Sequence, residues 1–563
     1  MYTAVLRHLD SGSVSTTDKQ RAFGYDERYM TTRAATPMTS TQRWTLIAAV
    51  LGSAMAFLDG TVVNVALPAL QRDFRASVAD VSWVVNGYAL MLAALILTGG
   101  ALGDLYGRKR VFGTGVLVFA AASLLCGLAG TLPVLVFARL LQGLGGALLI
   151  PGSLAMLGAA FPPESRGRAV GLWSSATSVV TVLGPVAGGL LVDTLSWRPV
   201  FLINLPLAAA VLWFLRKVPE SSAYLAEGVP GSVAERPRLD VPGLLLVTAG
   251  LGALSAGLLD AGNMGAGNSG TGGGGGGRGA SLLLTLAGVA LLAAFIWWES
   301  RAAAPMLPLK LFRSAAFSGT NLLTFLLYGA LGAALFFLTL NLISVQGYTA
   351  AQAGASLLPL SLLLAGLSGV FGGLADRFGP RLFLTLGPIL AGAGFWLLGR
   401  LGLGGSYVTA LLPAVLTLSL GMAITVAPLT STVLGSVGEG QSGTASGVNN
   451  AVSRAAGLLA VALFTLLMLG RFGMSLQSGL ARTDLPAAAQ TQMLAERSKL
   501  AQVPPPNGLS APQVQQARQA VRQAFADGFS LVCSLAGLMA LLAGVVGHFS
   551  LSRSKSSAFK AVD

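Results

Sequence analysis

Apolar stretches long enough to cross a lipid bilayer recur about fourteen times along this chain of 563 residues. The hydrocarbon core is about 30 Å thick, so an α-helix needs about 20 predominantly apolar residues to cross it. Backbone polar groups in lipid must be satisfied within the protein, which favours helices for such stretches. Only 10% of the residues are charged, against about 25% in soluble domains, so we predict an all-α integral membrane protein. The predicted spans are 44–67, 81–102, 111–130, 133–157, 169–193, 199–215, 239–260, 281–298, 315–344, 351–375, 381–400, 407–434, 443–469 and 527–551.

Arginine and lysine residues predict how these spans are oriented. Most of the 36 fall in alternate loops, and cytoplasmic loops are the ones that carry such an excess. An even number of spans places both termini on one side, so we predict that both are cytoplasmic. The same distribution explains the net charge of +14 without a nucleic-acid partner, because the basic residues form short clusters between spans.

The loops divide the chain into five predicted parts. These are a disordered cytoplasmic tail (1–42), an N-terminal six-helix bundle (43–217), a linker with two inserted spans (218–310), a C-terminal six-helix bundle (311–552) and a cytoplasmic tail (553–563). The linker contains a Gly-rich segment, 261–280, that we predict to be a flexible external loop. A second long external loop, 470–526, is predicted inside the C-terminal part, with an amphipathic helix at its end.

A carboxylate, Asp59, lies well inside the first apolar stretch and is the only acid that we expect deep in the membrane. An ionised Asp near the bilayer centre costs about 2.5 to 3.5 kcal/mol on insertion scales, so it normally faces a cavity or a partner. Arg139 in the fourth span needs a carboxylate, a carbonyl or water for the same reason. We predict that Asp59 and Arg139 form the proton-coupling site. The alternatives are a structural carboxylate that caps a helix and a fixed structural ion pair.

An internal repeat relates two turns that both lie on the predicted cytoplasmic side. Gly100, Leu102, Asp104 and Gly107 correspond, at one constant spacing, to Gly372, Leu374, Asp376 and Gly379. A four-position match at one spacing indicates two related halves. In the first turn, Asp104 is placed to accept hydrogen bonds from Arg108 or from the amino terminus of the next helix.

These residues resemble the major facilitator superfamily, and within it the fourteen-span drug:proton antiporter family. The resemblance covers roughly residues 44–470 and the last span. Its motifs are LDGTVVNVALP (58–68), GALGDLYGRKR (100–110), FARLLQGLGGALL (137–149), LGPVAGGLL (183–191), WRPVFLINLP (197–206) and GQSGTASGVNNAVSRAAG (440–457). The second repeated turn departs from the family pattern, because Pro380 stands where Arg108 stands in the first. The resemblance implies two six-helix bundles related by a parallel repeat, with two extra inserted helices.

Two further groups of residues receive predicted roles. The conformational gate is assigned to residues of the two repeated turns and of the fifth span, where Pro185 should kink the helix: Gly100, Asp104, Gly107, Arg108, Gly184, Pro185, Gly188, Gly189, Asp376 and Gly379. Substrate contacts are assigned to polar and aromatic residues within spans: Asn64, Trp83, Asn86, Tyr88, Gln142, Asn321, Tyr328, Asn449, Asn450 and Arg454. For Arg454 the alternative is a side chain that reaches back to the cytoplasmic surface.

Together these features predict proton-coupled efflux of small amphipathic compounds, such as drugs or toxic metabolites, by alternating access. No phosphate-binding GxxxxGK[ST] pattern occurs, so an ion gradient rather than ATP should drive transport. The C-terminal spans contain no deep acid, which favours neutral, monocationic or anionic substrates. We expect no enzymatic activity, no cofactor and no metal, and a monomer in the cell inner (plasma) membrane. A proton-linked nutrient importer, a lipid translocator and a non-transporting scaffold are the alternatives.

Overall fold

A computed structural model describes residues 38–221, 239–265, 278–438 and 441–552, and these residues form helices and their connections. Most of the two predicted tails, of the linker before the inserted spans and of the Gly-rich loop lies outside the described residues. The predicted tail 1–42 is too long at its end, because the first helix already begins at Ser40.

Six main helices form the N-terminal half. They are α1 (Ser40–Phe74), α2 (Val78–Tyr106), α3 (Arg108–Leu128), α4 (Leu132–Ala160), α5 (Pro163–Thr194) and α6 (Asn204–Leu215), with one short helical turn, Pro199–Leu202, before α6. The start of α1 is set by a capping box in which Thr39 and Gln42 exchange hydrogen bonds, and α2 starts in the same way. Such caps satisfy backbone N–H groups that a first helical turn leaves unbonded.

Two inserted helices and the C-terminal half follow. The inserted helices, α7 (Val241–Gly265) and α8 (Arg278–Glu299), form a hairpin. The C-terminal half contains α9 (Ala315–Leu340), α10 (Ala350–Ser356, continued by Leu358–Phe378), α11 (Pro380–Leu398), α12 (Leu412–Gly435), α13 (Ser442–Leu480) and α14 (Ala511–Ser552). Short π-helical turns, Asn341–Val345 and Tyr407–Leu411, lie after α9 and before α12.

The packing follows the two halves predicted from the repeat. In the N-terminal half α4 packs against α2 and α3, and α1 packs against α5 and α6. In the C-terminal half α11 packs against α12 and α14, and α9 packs against α13 and α14. The hairpin touches both halves, because α7 packs on α2 and on α13. The main direct contacts between the halves are α2 with α13 and α5 with α10.

The prediction of an all-α membrane protein with about fourteen spans is confirmed. Thirteen helices among the described residues are long and apolar enough to cross a membrane, and the shorter apolar segment Pro199–Leu215 has the place of the sixth span. Within the predicted external segment 470–526, α13 continues to Leu480, and α14 begins at Ala511, where an amphipathic helix was predicted at the end of the segment. Between them lie a short helix, Ala487–Ala495, and a 3-10 turn, Arg497–Gln502.

Candidate functional site

A buried ion pair joins α1 to α4 in the N-terminal half. The Nη1 group of Arg139 donates a hydrogen bond to Oδ2 of Asp59, and both side chains are almost completely buried, at 1% and 0% exposure. Arg139 also donates to the carbonyl oxygen of Val84 at 2.7 Å and to Oε1 of Gln142 at 2.6 Å. Its guanidinium lies over the ring of Tyr88, 4.6 Å from the centroid. Besides Asp59, the guanidinium of Arg139 therefore contacts two further oxygen acceptors and the face of one aromatic ring.

Two amides complete the surroundings of Asp59. The Nε2 group of Gln142 donates to Oδ1 of Asp59 at 2.8 Å and to Oγ of Ser123 at 2.8 Å. The Nδ2 group of Asn204, on α6, donates to the same two oxygens at 3.4 and 3.3 Å. We call Asp59, Ser123, Arg139, Gln142 and Asn204 the Asp59 cluster. Ser123 and Asn204 were absent from the predicted site, although Asn204 lies inside the motif WRPVFLINLP.

The Asp59 cluster is closed to solvent in this conformation. A carboxylate in such a place is stable as an anion only while Arg139 and the amides compensate its charge. If Asp59 takes a proton, Arg139 can retain its bonds to Val84 and Gln142, so both protonation states have hydrogen-bond partners. Proton exchange requires a conformation that admits water to the cluster, which links protonation to conformational change.

The residues predicted to contact substrate fall into several groups. Tyr88 and Gln142 adjoin or belong to the Asp59 cluster, and Tyr88 donates its hydroxyl to the carbonyl of Ala56 at 3.3 Å. Asn449 donates to Asn321 at 3.2 Å and to Thr324 at 2.7 Å, so it joins α13 to α9. In this conformation these side chains bond protein groups, and their contact with substrate stays a prediction.

Trp83 lies where α2 packs on the inserted hairpin, and Asn86 lies three residues further along α2. Trp83 packs with Leu90, Leu251 and Leu458, so it contacts the helices α7 and α13. Asn86 is 1% exposed, and neither of its side-chain polar atoms has a hydrogen-bond partner among the described residues. Trp83 is partly exposed and Asn86 is buried, and a substrate contact of either residue stays a prediction.

The remaining predicted contacts are open to a ligand. Asn64, Tyr328 and Arg454 are partly exposed and Asn450 is exposed. Arg454 is close enough to interact electrostatically with Tyr88 and Tyr328, which belong to opposite halves. No described residue forms a hydrogen bond or an ion pair with its guanidinium. This placement favours a position facing the space between the halves over one at the cytoplasmic surface.

The end that the charge pattern assigns to the outside, which we call the external end, is closed between α5 and α10. A Cβ atom on Gly354 would lie 2.2 Å from the carbonyl oxygen of Pro185, and one on Gly189 would lie 2.4 Å from that of Ala350. Both carboxylate oxygens of Asp193 accept backbone N–H groups at the start of α10, from Ala350 at 3.0 Å and Ala351 at 2.8 Å. The glycines of LGPVAGGLL thus let backbones of opposite halves meet.

The long external loop adds a second connection between the halves. Gln71 of α1 donates to the carbonyl of Lys499 at 3.2 Å, and Gln502 donates to the carbonyl of Pro68 at 3.0 Å. A cavity of about 760 Å³ remains at this end, lined by residues of both halves that include Arg72, Asp73 and Tyr348. By contrast, only 6% of the most apolar window of α10 is buried. Because the two halves meet at the external end and α10 has so little protein contact along its apolar length, we interpret the conformation as open toward the cytoplasm.

Two of the α5 glycines assigned to the gate, Gly184 and Gly188, also allow α5 to pack closely on α1 within the N-terminal half. A Cβ on Gly184 would lie 2.5 Å from Oγ1 of Thr61, and one on Gly188 would lie 2.6 Å from Cγ1 of Val62. The α5 helix runs through Pro185 without interruption, from Pro163 to Thr194. It therefore contacts α1 through one pair of glycines and the opposite half through Pro185 and Gly189.

The two repeated turns differ in their contacts. In the first, Arg108 forms a salt bridge with Asp104 at 2.8 Å and donates to the carbonyl of Ala155 at 3.3 Å. Gly107 has φ of +102°, which favours glycine, and Glu220 accepts the N–H of Lys109 at 3.0 Å beside it. Glu220 follows α6 in the chain and was absent from the predicted gate.

The second turn keeps the backbone but not the ion pair. Gly379 has φ of +84°, which matches the conformation of its counterpart. Asp376 is exposed, and no ion pair is formed there among the described residues, because Pro380 replaces the arginine. Gly100 and Gly372 both lie within helices that approach these turns.

Comparison with known proteins agrees with this architecture. A sequence model described as Major Facilitator Superfamily matches residues 49–461. The chain is 34% identical to the tetracenomycin C resistance and export protein of Streptomyces glaucescens, over 90% of this chain and 91% of that protein. It is 35% identical to the multidrug resistance protein Stp of Mycobacterium tuberculosis, over 82% of each chain. A solved bacterial homologue of the human lysosomal transporter Spinster, in an inward-facing and unoccupied conformation, has a TM-score of 0.58 at 16% identity, covering 91% of this chain and 99% of that one.

Proposed function

Because this chain belongs to the major facilitator superfamily, we propose that it exports small amphipathic compounds across the membrane in exchange for protons. Its relatives in Streptomyces and Mycobacterium are named as export and resistance proteins, and they match the chain over most of its length. These relatives favour export over the import and lipid-translocation alternatives. Solved nutrient transporters, such as a D-xylose–proton symporter at 14% identity, share the fold only.

The burial of the Asp59–Arg139 pair is the observation that supports the coupling of export to protons. Every other ion pair among the described residues has at least one side chain that is 26% exposed or more, whereas this pair is at 0% and 1%. A pair that only stabilised the fold would gain little from such burial, because desolvation offsets the attraction between the charges. An intramembrane carboxylate with a nearby arginine is the arrangement expected of a proton relay.

The proposed cycle begins in a conformation open to the outside. A proton binds an oxygen of Asp59 and removes its charge, and Arg139 stays bonded to Val84 and Gln142. The neutral cluster favours closure at the external end. Release of the proton toward the cytoplasm then restores the ion pair, which is formed in the conformation described here, and substrate binds from the cytoplasm. One proton supplies about 2.3 kcal/mol for each 100 mV of membrane potential that it crosses.

The charged side chains near the space between the two halves favour one class of substrate. Asp59 and Arg139 compensate each other, which leaves Arg454, near Tyr328, as a cation without an ion-pair partner among the described residues. An aromatic compound with an acidic or electron-rich group would satisfy both side chains. We therefore infer that neutral and anionic aromatic compounds are exported better than cationic ones.

The proton role is tested with purified protein in liposomes under an imposed pH gradient. The first probe is tetracenomycin C, the compound that appears in the name of one relative. We expect Asp59→Asn to bind the compound while its transport no longer responds to the pH gradient. Asp260→Asn, the same substitution in the inserted hairpin, should keep the response. A gradient-driven flux retained in Asp59→Asn would refute the proton role.

The substrate class is tested at Arg454 with two dyes of opposite charge, fluorescein and ethidium. We expect Arg454→Gln to lower export of the anionic dye about tenfold or more, which corresponds to about 1.4 kcal/mol of lost interaction. Arg454→Lys keeps the charge and should retain most of the anion export. Equal effects of Arg454→Gln on both dyes would exclude a charge-selective role.

We further propose that the protein acts as a monomer in the cytoplasmic membrane, with both termini inside. Cysteines placed in the two tails should react with a maleimide only after the cell membrane is made permeable. Native mass spectrometry in detergent would report the oligomeric state.

A further inference from the structure

A second buried acid lies outside the Asp59 cluster, at the base of the inserted hairpin. Glu299, the last residue of α8, is 3% exposed. This corrects the expectation that Asp59 is the only deeply buried acid. Its neighbour is Asp240, which immediately precedes α7. The predicted orientation places both at the cytoplasmic end of the hairpin.

The two carboxyl groups lie within hydrogen-bonding reach of each other. A Cβ atom on Gly243 would stand 2.6 Å from Oδ2 of Asp240 and 2.9 Å from Oε1 of Glu299, so both oxygens border the same small space. Both oxygens are buried, and neither has a hydrogen-bond partner among the described residues. Two ionised carboxylates this close, with no donor between them, repel each other strongly.

The other two oxygens already have donors. Oδ1 of Asp240 accepts the backbone N–H of Gly243 at 2.9 Å and the indole N–H of Trp298 at 2.7 Å. Oε2 of Glu299 accepts the backbone N–H of Leu307 at 3.0 Å. A single hydrogen atom between the two facing oxygens would therefore satisfy every side-chain oxygen of the pair.

No positive side chain compensates the pair among the described residues. The hairpin packs on α2 and α13, and none of the charged residues on these helices or on the connection after α8 forms an ion pair with either acid. Those whose side chains the structure describes are Asp80, Asp104, Asp260, Arg301, Lys310, Arg313, Arg454 and Arg471. The guanidinium of Arg301 lies over the ring of Trp297, 4.3 Å from its centroid.

We propose that Asp240 and Glu299 form a second proton-binding site, in which one proton is shared between Oε1 of Glu299 and Oδ2 of Asp240. The helix termini decide which residue carries it. Asp240 lies at the amino end of α7, where the helix dipole stabilises an anion, and Glu299 lies at the carboxyl end of α8, where the dipole disfavours one. Glu299 is therefore the acid that donates, and Asp240 is the anion that accepts.

A metal cation fits this space less well than a proton. Calcium takes six to eight oxygen ligands, and only two oxygens of the pair are without donors. The described residues also contain no group of three or more His, Cys, Asp or Glu side chains that could hold a metal ion.

The proton would join three parts of the chain. Asp240 holds the start of α7, Glu299 ends α8, and the bond from Leu307 fixes the connection that leads into α9. Loss of the proton would place two negative charges together and loosen this junction. The site would thus respond to cytoplasmic pH independently of the proton that drives transport.

The test uses the purified full-length protein and two isosteric variants. Glu299→Gln imitates the protonated site, because the amide N–H₂ can donate to Asp240 while the amide oxygen accepts from Leu307. Asp240→Asn removes the shared proton from the other side. Glu496→Gln, in the external loop, is the matched control for a carboxylate that pairs with Lys499 at the surface.

Two measurements decide the proposal. Infrared spectra at neutral pH should show a protonated carboxylic acid that disappears in Glu299→Gln and in Asp240→Asn and persists in Glu496→Gln. The thermal unfolding midpoint of the wild type should fall as pH is raised from about 5 to about 9, while that of Glu299→Gln should stay nearly constant. Identical pH profiles of wild type and Glu299→Gln, or loss of the infrared band in the control alone, would overturn the shared proton. Stabilisation by sodium or calcium that both pair variants abolish would also overturn it, in favour of a cation site.

Discussion

The energetic coupling between Asp59 and Arg139 can be measured with a double-mutant cycle. Asp59→Asn leaves the guanidinium charge buried without its anion, and breaking a buried pair in this way costs about 3 to 5 kcal/mol. Arg139 keeps its bonds to Val84 and Gln142 and its contact with Tyr88, so we expect a cost near the lower value, about 3 kcal/mol. Arg139→Met leaves a buried carboxylate that retains Gln142 at 2.8 Å.

The double variant removes both charges together. We expect its loss in free energy of unfolding to be smaller than the sum of the losses in the two single variants. The coupling should be about 2 to 3 kcal/mol, the upper part of the range for residues in contact. For a helical bundle of the size of the N-terminal half, a loss of 3 kcal/mol in the free energy of unfolding corresponds to a fall of roughly 6 to 12 °C in the unfolding midpoint. Thermal unfolding in detergent, followed by tryptophan fluorescence without substrate, measures each value.

The matched control is a solvent-accessible pair in the external loop. Lys499 and Glu496 are 2.7 Å apart and about a third exposed, so their cycle should give less than about 1 kcal/mol. Additive effects of Asp59→Asn and Arg139→Met, within about 0.5 kcal/mol, would show that the two residues do not stabilise each other and would refute the reasoning.

Three further predictions concern the external end of the transport path and the packing beside the Asp59 cluster. Asp193→Ala removes both carboxylate acceptors at the start of α10, which costs about 0.5 to 2 kcal/mol, and should increase the labelling rate of a cysteine at Ala69 by an external maleimide severalfold. Gly354→Val places atoms against the backbone of Pro185, so it should prevent external closure and abolish transport, whereas Gly366→Val, in open space, should not. Cys126 is fully buried and should stay unlabelled in the wild type, and rapid labelling of it by a polar maleimide would contradict the packing described here.

The sequence predicted the spans, the repeated turns and the meeting of Asp59 with Arg139 because each has a local signal. Long apolar runs, positive-φ glycines and intramembrane charges can be recognised without knowing what lies opposite. Asn204 and Asp193 carry no such signal, since an Asn or an Asp near a helix end is common, and their partners lie far away in the chain. The roles of Gln142 and Asn449 depended on which face of the helix packs inward, and tertiary contacts alone decide that.

The repeat makes the differences between the halves informative. Gly107 and Gly379 have similar backbone conformations, yet only the first turn has an arginine that pairs with its aspartate. The buried Asp59 belongs to the N-terminal half. Arg454, which has no ion-pair partner in the part of the chain that the structure describes, belongs to the C-terminal half, across the contact between α2 and α13. A charged substrate bound near Arg454 would therefore act on the Asp59 cluster across this contact, through Tyr88, whose ring lies against the guanidinium of Arg139. Replacing Tyr88 with Phe should then weaken the effect of substrate on proton release while leaving each site able to bind its own ligand.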